Sequence, residues 1–97
     1  MGGLLGEEGH VILIDQPIWP AHGTEWAHLV SDSSLDELHA FAAAAGIPRR
    51  GFDLDHYDVP AGKWQELVAL GAQPVGVREF VRRLEASGLR VAQRDRG

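Results

Sequence analysis

Apolar residues recur along this chain in short blocks, each closed by a glycine, a proline or an acid. His10 to Asp15, HVILID, is a β-branched run ending in a carboxylate and reads as a buried strand. The stretch QPIWPAHGTEW follows, punctuated by Pro17, Pro20 and Gly23, and reads as a loop. Its two indoles, Trp19 and Trp26, are too large to leave in water, so the loop is expected to fold back onto the domain. Ala27 to Val30 reads as a second strand. Alternation puts Trp26, His28 and Val30 on one face and Ala27 and Leu29 on the other, with Asp32 just beyond.

The clearest helix starts after Ser34. Ser34 and Glu37 match the S-x-x-E capping box, in which side chains satisfy the orphan N–H groups of the first turn. Leu35, Leu38, Phe41, Ala42 and Ala45 form one apolar stripe, with His39 at its edge. Gly46 then fits the residue after the helix, and Pro48 follows. In GFDLDHY, Phe52, Leu54 and His56 alternate with Asp53, Asp55 and Tyr57, which predicts a short strand running into a loop. Asp58 is expected to cap a second helix, with Pro60 in its first turn. That helix carries Trp64, Leu67 and Val68 and stops at Gly71. Ala72 to Val75 reads as a strand. A third helix spans Val77 to Ser87 with the stripe Val77, Phe80, Val81 and Leu84, Gly88 ends it, and Leu89 to Ala92 reads as a last strand.

Three times the chain runs helix, stopping glycine, short apolar segment: at Gly46, Gly71 and Gly88. The alternation predicts an α/β fold, a small single domain with a short mixed, partly parallel sheet of three to five strands and three helices. The three units are too dissimilar to form a sequence repeat. Ninety-seven residues suit one compact domain. Its expected extent is 10–92, between a flexible, Gly-rich lead-in over 1–9 and a mobile tail over 93–97.

Composition narrows the function classes. With 44% hydrophobic and 24% charged residues the chain is able to fold. The absence of cysteine excludes disulfides, thiolate metal sites and a cysteine nucleophile, and fits a reducing cytosol. No segment is long and apolar enough to span a membrane, and MGGLLGEEGH has neither a basic n-region nor a long apolar core. Gly6 breaks the myristoylation pattern. A cytoplasmic protein without membrane contact is therefore expected.

The net charge of −5 disfavours, without excluding, nucleic acid as a partner. Charge is unevenly spread. Ten acids face two bases through Gly62, and seven bases face four acids from Lys63 onward. An acidic, histidine-bearing front and a basic back suit a metal and an anionic small-molecule substrate; ordinary helix-surface charge is the plainer explanation.

The chemistry concentrates between Trp26 and Asp58, in WAHLVSD, LDELHAF and DLDHYD. A metal site needs three or four ligands converging on one point, and His28, Asp32, His39, Asp55, His56 and Asp58 offer enough. None of them shows local spacing of the HExxH kind. The sharpest expectation is that Asp15, His28, Asp32, His56 and Asp58 gather in one catalytic pocket. All lie at element ends, where α/β scaffolds expose polar groups. His39 would stand at the edge, and His28, His56 and Asp58 would hold a divalent ion. Substrate contacts are assigned to Trp19, Trp26, Tyr57, Arg49, Arg78 and Arg82. The plainer readings are a core-edge histidine at 28, a helix-flank histidine at 39, a turn at DHYD with Asp58 as a cap, and a solvated arginine row. No GxSxG elbow, Walker A loop or GxGxxG turn is present.

The run from IDQPIWP through WAHLVSDSSLDELHAFAAAAGIPRRGFDLDHYDVP to LGAQPVGVREFVRRLEASGLR resembles a family of small bacterial proteins known as domain of unknown function 4031. The resemblance covers nearly everything from Val11 to Arg90, and WAHL, LHAF and DHYD together are its specific signature. It implies a bacterial, soluble cytoplasmic protein and carries no reaction, substrate or cofactor with it.

Two functions follow from the residues. The first is a metal-assisted hydrolase acting on a phosphoester, with the ion activating water and Arg78, Arg82 or Arg49 steadying the anion. The alternative is a non-catalytic binding or interaction module, in which the polar cluster supports the Trp19/Trp26 loop. A homodimer is expected in either case, through an edge strand or the helix bearing Trp64, since so small a domain buries little apolar surface alone.

Overall fold

The computed structural model describes residues 11–90. The expected lead-in over 1–9, the start of the first strand at His10, the end of the last strand at 91–92 and the tail over 93–97 lie outside the described residues. Leu89 and Arg90 themselves are not strand. The described residues form a mixed sheet of six strands with three α-helices, one strand more than the upper expectation. No described helix is long and apolar enough to cross a membrane.

The strands are β1 (Ile12–Ile14), β2 (Trp19–Ala21), β3 (Thr24–Ser31), β4 (Phe52–Asp53), β5 (His56–Pro60) and β6 (Gln73–Pro74). The sheet order is β4-β5-β3-β1-β6, with β2 also paired to β3. Only β1 and β6 run parallel. Two strands exceed the reading from sequence: β5, where a loop and a helix cap were expected, and β2, read as loop. His22 and Gly23 both take positive φ, 50° and 81°, which is the backbone of the tightest hairpin turn. The turn folds Trp19 onto Trp26 across the ladder and starts β3 at Thr24 rather than Ala27.

The helices are α1 (Leu35–Ala44), α2 (Trp64–Ala69) and α3 (Val77–Ser87). Ser34 caps α1 through Glu37 N at 3.1 Å. Glu37 does not close the expected box; its carboxylate takes the Ser31 and Ser33 hydroxyls instead. Gly46, at φ 78°, turns the chain out of α1 in the left-handed region where a side chain would be strained.

Two sequence expectations fail between α1 and α2. The alternation through GFDLDHY is interrupted at Leu54, whose φ of 59° makes a tight turn, so Phe52 pairs with Tyr57 and Asp53 with His56. Asp58 is not a helix cap. It lies in β5 opposite His28, and α2 begins only after a short 3-10 turn at Ala61–Lys63. Strand pairing wins here because β3 offers a full ladder of partners from Trp26 to Leu29.

The register divides the sheet into two faces. One carries Ile12, Ile14, Ala27, Leu29, Tyr57 and Val59 against Leu38 and Ala42 of α1 and Leu67 of α2, and is the main core. Each aliphatic side chain fully buried there contributes about 1.5–3 kcal/mol. The other face carries Leu13 and Val30 under Phe80 and Leu84 of α3. That helix covers only part of its face, and the remainder, from His28 outward, holds the polar residues. Trp64, the expected anchor of a dimer contact, is partly buried against the main core of its own chain, and its indole donates to the Asp15 carbonyl at 2.8 Å.

Candidate functional site

His28 in β3 and Asp58 in β5 are cross-strand partners, so their side chains leave the sheet on the same face. His56 stands two residues before Asp58 and shares that face. The turn at Leu54 brings Asp55 beside His56, and its carboxylate meets His56 Nδ1 at 2.7 Å. Asp15, directly after β1, plays the matching part for His28. Its N–H donates to the His28 carbonyl, and its Oδ1 accepts the His28 N–H at 2.6 Å. Its Oδ2 lies 2.8 Å from His28 Nδ1 and also accepts Trp19 Nε1 at 3.1 Å.

The two histidines are thus held alike. Each Nδ1 faces a buried carboxylate, Asp15 or Asp55, with 1% and 3% exposure. A proton on each Nδ1 can be donated to its carboxylate, and this orientation turns both Nε2 atoms toward Asp58. Both Nε2 atoms approach Asp58 Oδ1, His56 at 3.2 Å and His28 at 3.7 Å. The three ligand atoms of His28, His56 and Asp58 lie within 4.8 Å of one another. Ligands about 2.1 Å from an ion at tetrahedral angles are about 3.4 Å apart, a spacing close to the two histidine–Asp58 distances. Burial works against the charged ring of His56, but hydrogen bonds and charge from Asp58 and Asp55 outweigh it, and its pKa is raised above 6.5.

Other residues assigned to this site from sequence lie elsewhere. Asp32 is at the opposite end of β1 from Asp15, where it accepts the Val11 N–H at 3.0 Å and Arg83 Nη2 at 2.9 Å. Tyr57 points to the opposite face of the sheet, 1% exposed, and its hydroxyl meets His39 Nδ1 at 2.8 Å. His39 is therefore no rim of the His28 pocket. Burial and the neighbouring Arg49 lower its pKa below 6.5, against the pull of Asp36. Arg49 lies over the Phe52 ring, Arg82 pairs with Glu79, and Arg78 is exposed on α3. Trp19 and Trp26 do adjoin the histidines.

Sequence reasoning left Asp55 out of the catalytic set and passed over Arg50 and Lys63, which line the groove beside His28 and Asp58. The signal for Asp55 was its adjacency to His56. Arg50 follows α1, where a cation complements the helix dipole, and nothing in the pattern marked Lys63. On its other side the histidine pair closes a cleft of about 260 Å³ against Phe80 and Val77 of α3. Two imidazoles and a half-exposed carboxylate around one point, backed by buried acids and bordered by aromatic rings, are donor types compatible with a metal ion.

A family model described as "Protein of unknown function (DUF4031)" matches residues 12–87. No curated protein and no solved structure matches the chain.

Proposed function

The chain belongs to the DUF4031 family, whose description carries no reaction, and from the geometry we propose that it is a divalent-metal-dependent hydrolase acting on a phosphoester. The observation that carries the reading is the pairing of His28 with Asp15 and of His56 with Asp55 through Nδ1, while both Nε2 atoms face Asp58. Metal-bound histidines commonly donate their second ring nitrogen to such a carboxylate, which fixes the ring and raises its basicity. A divalent ion at this point supplies a Lewis acid that acidifies water and offsets phosphate charge.

The chain's own residues do the rest. Asp15 and Asp55 keep the protons on Nδ1, so that both Nε2 lone pairs aim at one place. Trp19 and Phe80 flank His28, with ring centroids 5.4 Å and 6.1 Å away, and limit water on those sides. In hydrolysis a water oxygen bonds to phosphorus, the ester P–O bond breaks, and the proton lost by the water ends on the leaving oxygen.

One observation favours the second reading, a non-catalytic binding module. Among the described residues every buried polar side-chain atom already has a hydrogen-bond partner, so the cluster is satisfied as a purely structural network. Metal analysis of protein purified without a histidine tag separates the two. The expected result is one divalent ion per chain, lost in His28→Ala and His56→Ala while the circular dichroism is retained, and metal-stimulated cleavage of a phosphoester panel. If no divalent ion binds and the two variants change only stability, the module reading takes its place.

A further inference from the structure

Beside His28 lies a groove of about 890 Å³ that has His28 and Asp58 in its lining together with Gly46, Ile47 and Pro48 beyond the end of α1. The groove is chemically polarised. On one side stand two indoles, Trp19 and Trp26, which are cross-strand partners and leave the sheet on the His28 face. Both are held in place: Trp19 Nε1 donates to Asp15, and Trp26 Nε1 donates to the Ala21 carbonyl at 2.8 Å. Trp19 keeps 41% of its surface exposed, an aromatic plane offered to solvent beside the reacting end.

On the other side, beyond β5, stand Arg50 from the turn before β4 and Lys63 from the turn after β5. Arg50 is exposed at the rim. Lys63 pairs with the exposed Glu66, at 3.2 Å, a surface contact of small worth that an incoming anion can replace.

Fixed aromatic planes select a flat ring, and a guanidinium with an ammonium selects a phosphate. We propose that this groove binds a phosphorylated planar-ring compound of the mononucleotide type, its ring against Trp19 and Trp26 and its phosphate between Asp58 and the Arg50–Lys63 pair. Asp53 and Asp58 also line the groove, and a bare phosphate would meet both carboxylates. The ion read at His28, His56 and Asp58 offsets them, so the assignment rests on that reading and names the substrate class of the same site. It also explains how a chain of net charge −5 receives an anion: the cations that matter are local.

The test is a tryptophan-fluorescence titration of the full chain with adenosine 5′-monophosphate, adenosine and inorganic phosphate, each with Mn²⁺ and with EDTA. Binding of Mn²⁺ alone is measured separately by calorimetry. The Mn²⁺-loaded protein should bind the monophosphate at least about tenfold more tightly than either half. Arg50→Ala with Lys63→Ala should remove that advantage and leave adenosine binding unchanged, and Trp19→Phe with Trp26→Phe should abolish the fluorescence response. If Mn²⁺ binds but the monophosphate is held no better than its halves, or is indifferent to the two cations, the groove assignment falls while the metal reading stands. If Mn²⁺ fails to bind yet the monophosphate binds in EDTA with the same response to Arg50 and Lys63, the metal reading falls and the groove assignment survives.

Discussion

His28 and His56 meet edge to face with ring centroids 4.9 Å apart, and each ring is pinned from behind by its own aspartate. Asp55→Asn keeps the shape of that support for His56 and removes its charge. It should weaken divalent-metal binding by about 10–100-fold, the usual cost of losing an outer-sphere partner. His56→Ala should cost more, because it removes one of the three proposed ligands. Calorimetry against a competing chelator measures both, and equal affinity of Asp55→Asn and wild type would contradict the role given to Asp55.

In metal-free protein the raised pKa of His56 has a defined sign. A group whose folded pKa exceeds its unfolded value, here about 6.5, stabilises the fold fully below the unfolded value. It loses that contribution as pH rises through the folded value. The stability gap between wild type and His56→Asn in EDTA should therefore be widest in mild acid and shrink on the alkaline side. His39 has the opposite sign, because its pKa is lowered: its contribution is complete above 6.5 and lost as pH falls through the folded value. Urea denaturation across about pH 5 to 9 follows both histidines, each judged by its own variant.

Arg83 ties α3 to the end of β3 through Asp32 at 2.9 Å and also reaches Glu79 at 3.3 Å. Arg83→Met keeps the stem and removes the charge, leaving Asp32 largely buried with the Val11 N–H as its remaining partner among the described residues. A loss of about 1–3 kcal/mol in denaturant stability is expected. Metal affinity should not change, since Asp32 is outside the histidine cluster. A fall in metal affinity at equal folding would return Asp32 to the site.

Trp64→Ala should lower stability by about 3 kcal/mol, the lower end for removing a large aromatic from a core. It also strips the Asp15 carbonyl of its indole donor. Thermal unfolding and near-ultraviolet circular dichroism check this. Retained stability would mean that Trp64 packs less against its own core than the structure shows.

What the sequence revealed and hid can be seen at three places. Alternation in β3 put Trp26, His28 and Val30 on one face, and the register bears that out, because a half-buried strand writes its two faces directly into period two. The turn at Leu54 had no such signal. Leucine rarely takes positive φ, so neither the hairpin nor the placement of Asp58 opposite His28 was legible. Asp32 was grouped with Asp15 because both end strands. In an antiparallel pair, though, the ends of the two strands lie at opposite edges, and strand order is not contained in local patterning. The His22–Gly23 turn was visible in principle but lay among prolines that argued for loop.

Asp15 accepts at its carboxylate from the His28 backbone, the His28 ring and Trp19, and at its carbonyl from Trp64. One residue thereby joins two strands, a hairpin and a helix at the point where His28 is aimed. Reaching the native state and orienting the His28 ring are thus a single event in this chain. Substitutions at Asp15 will be screened first by whether the protein folds, so variation has more freedom at the groove's rim than at its foundation.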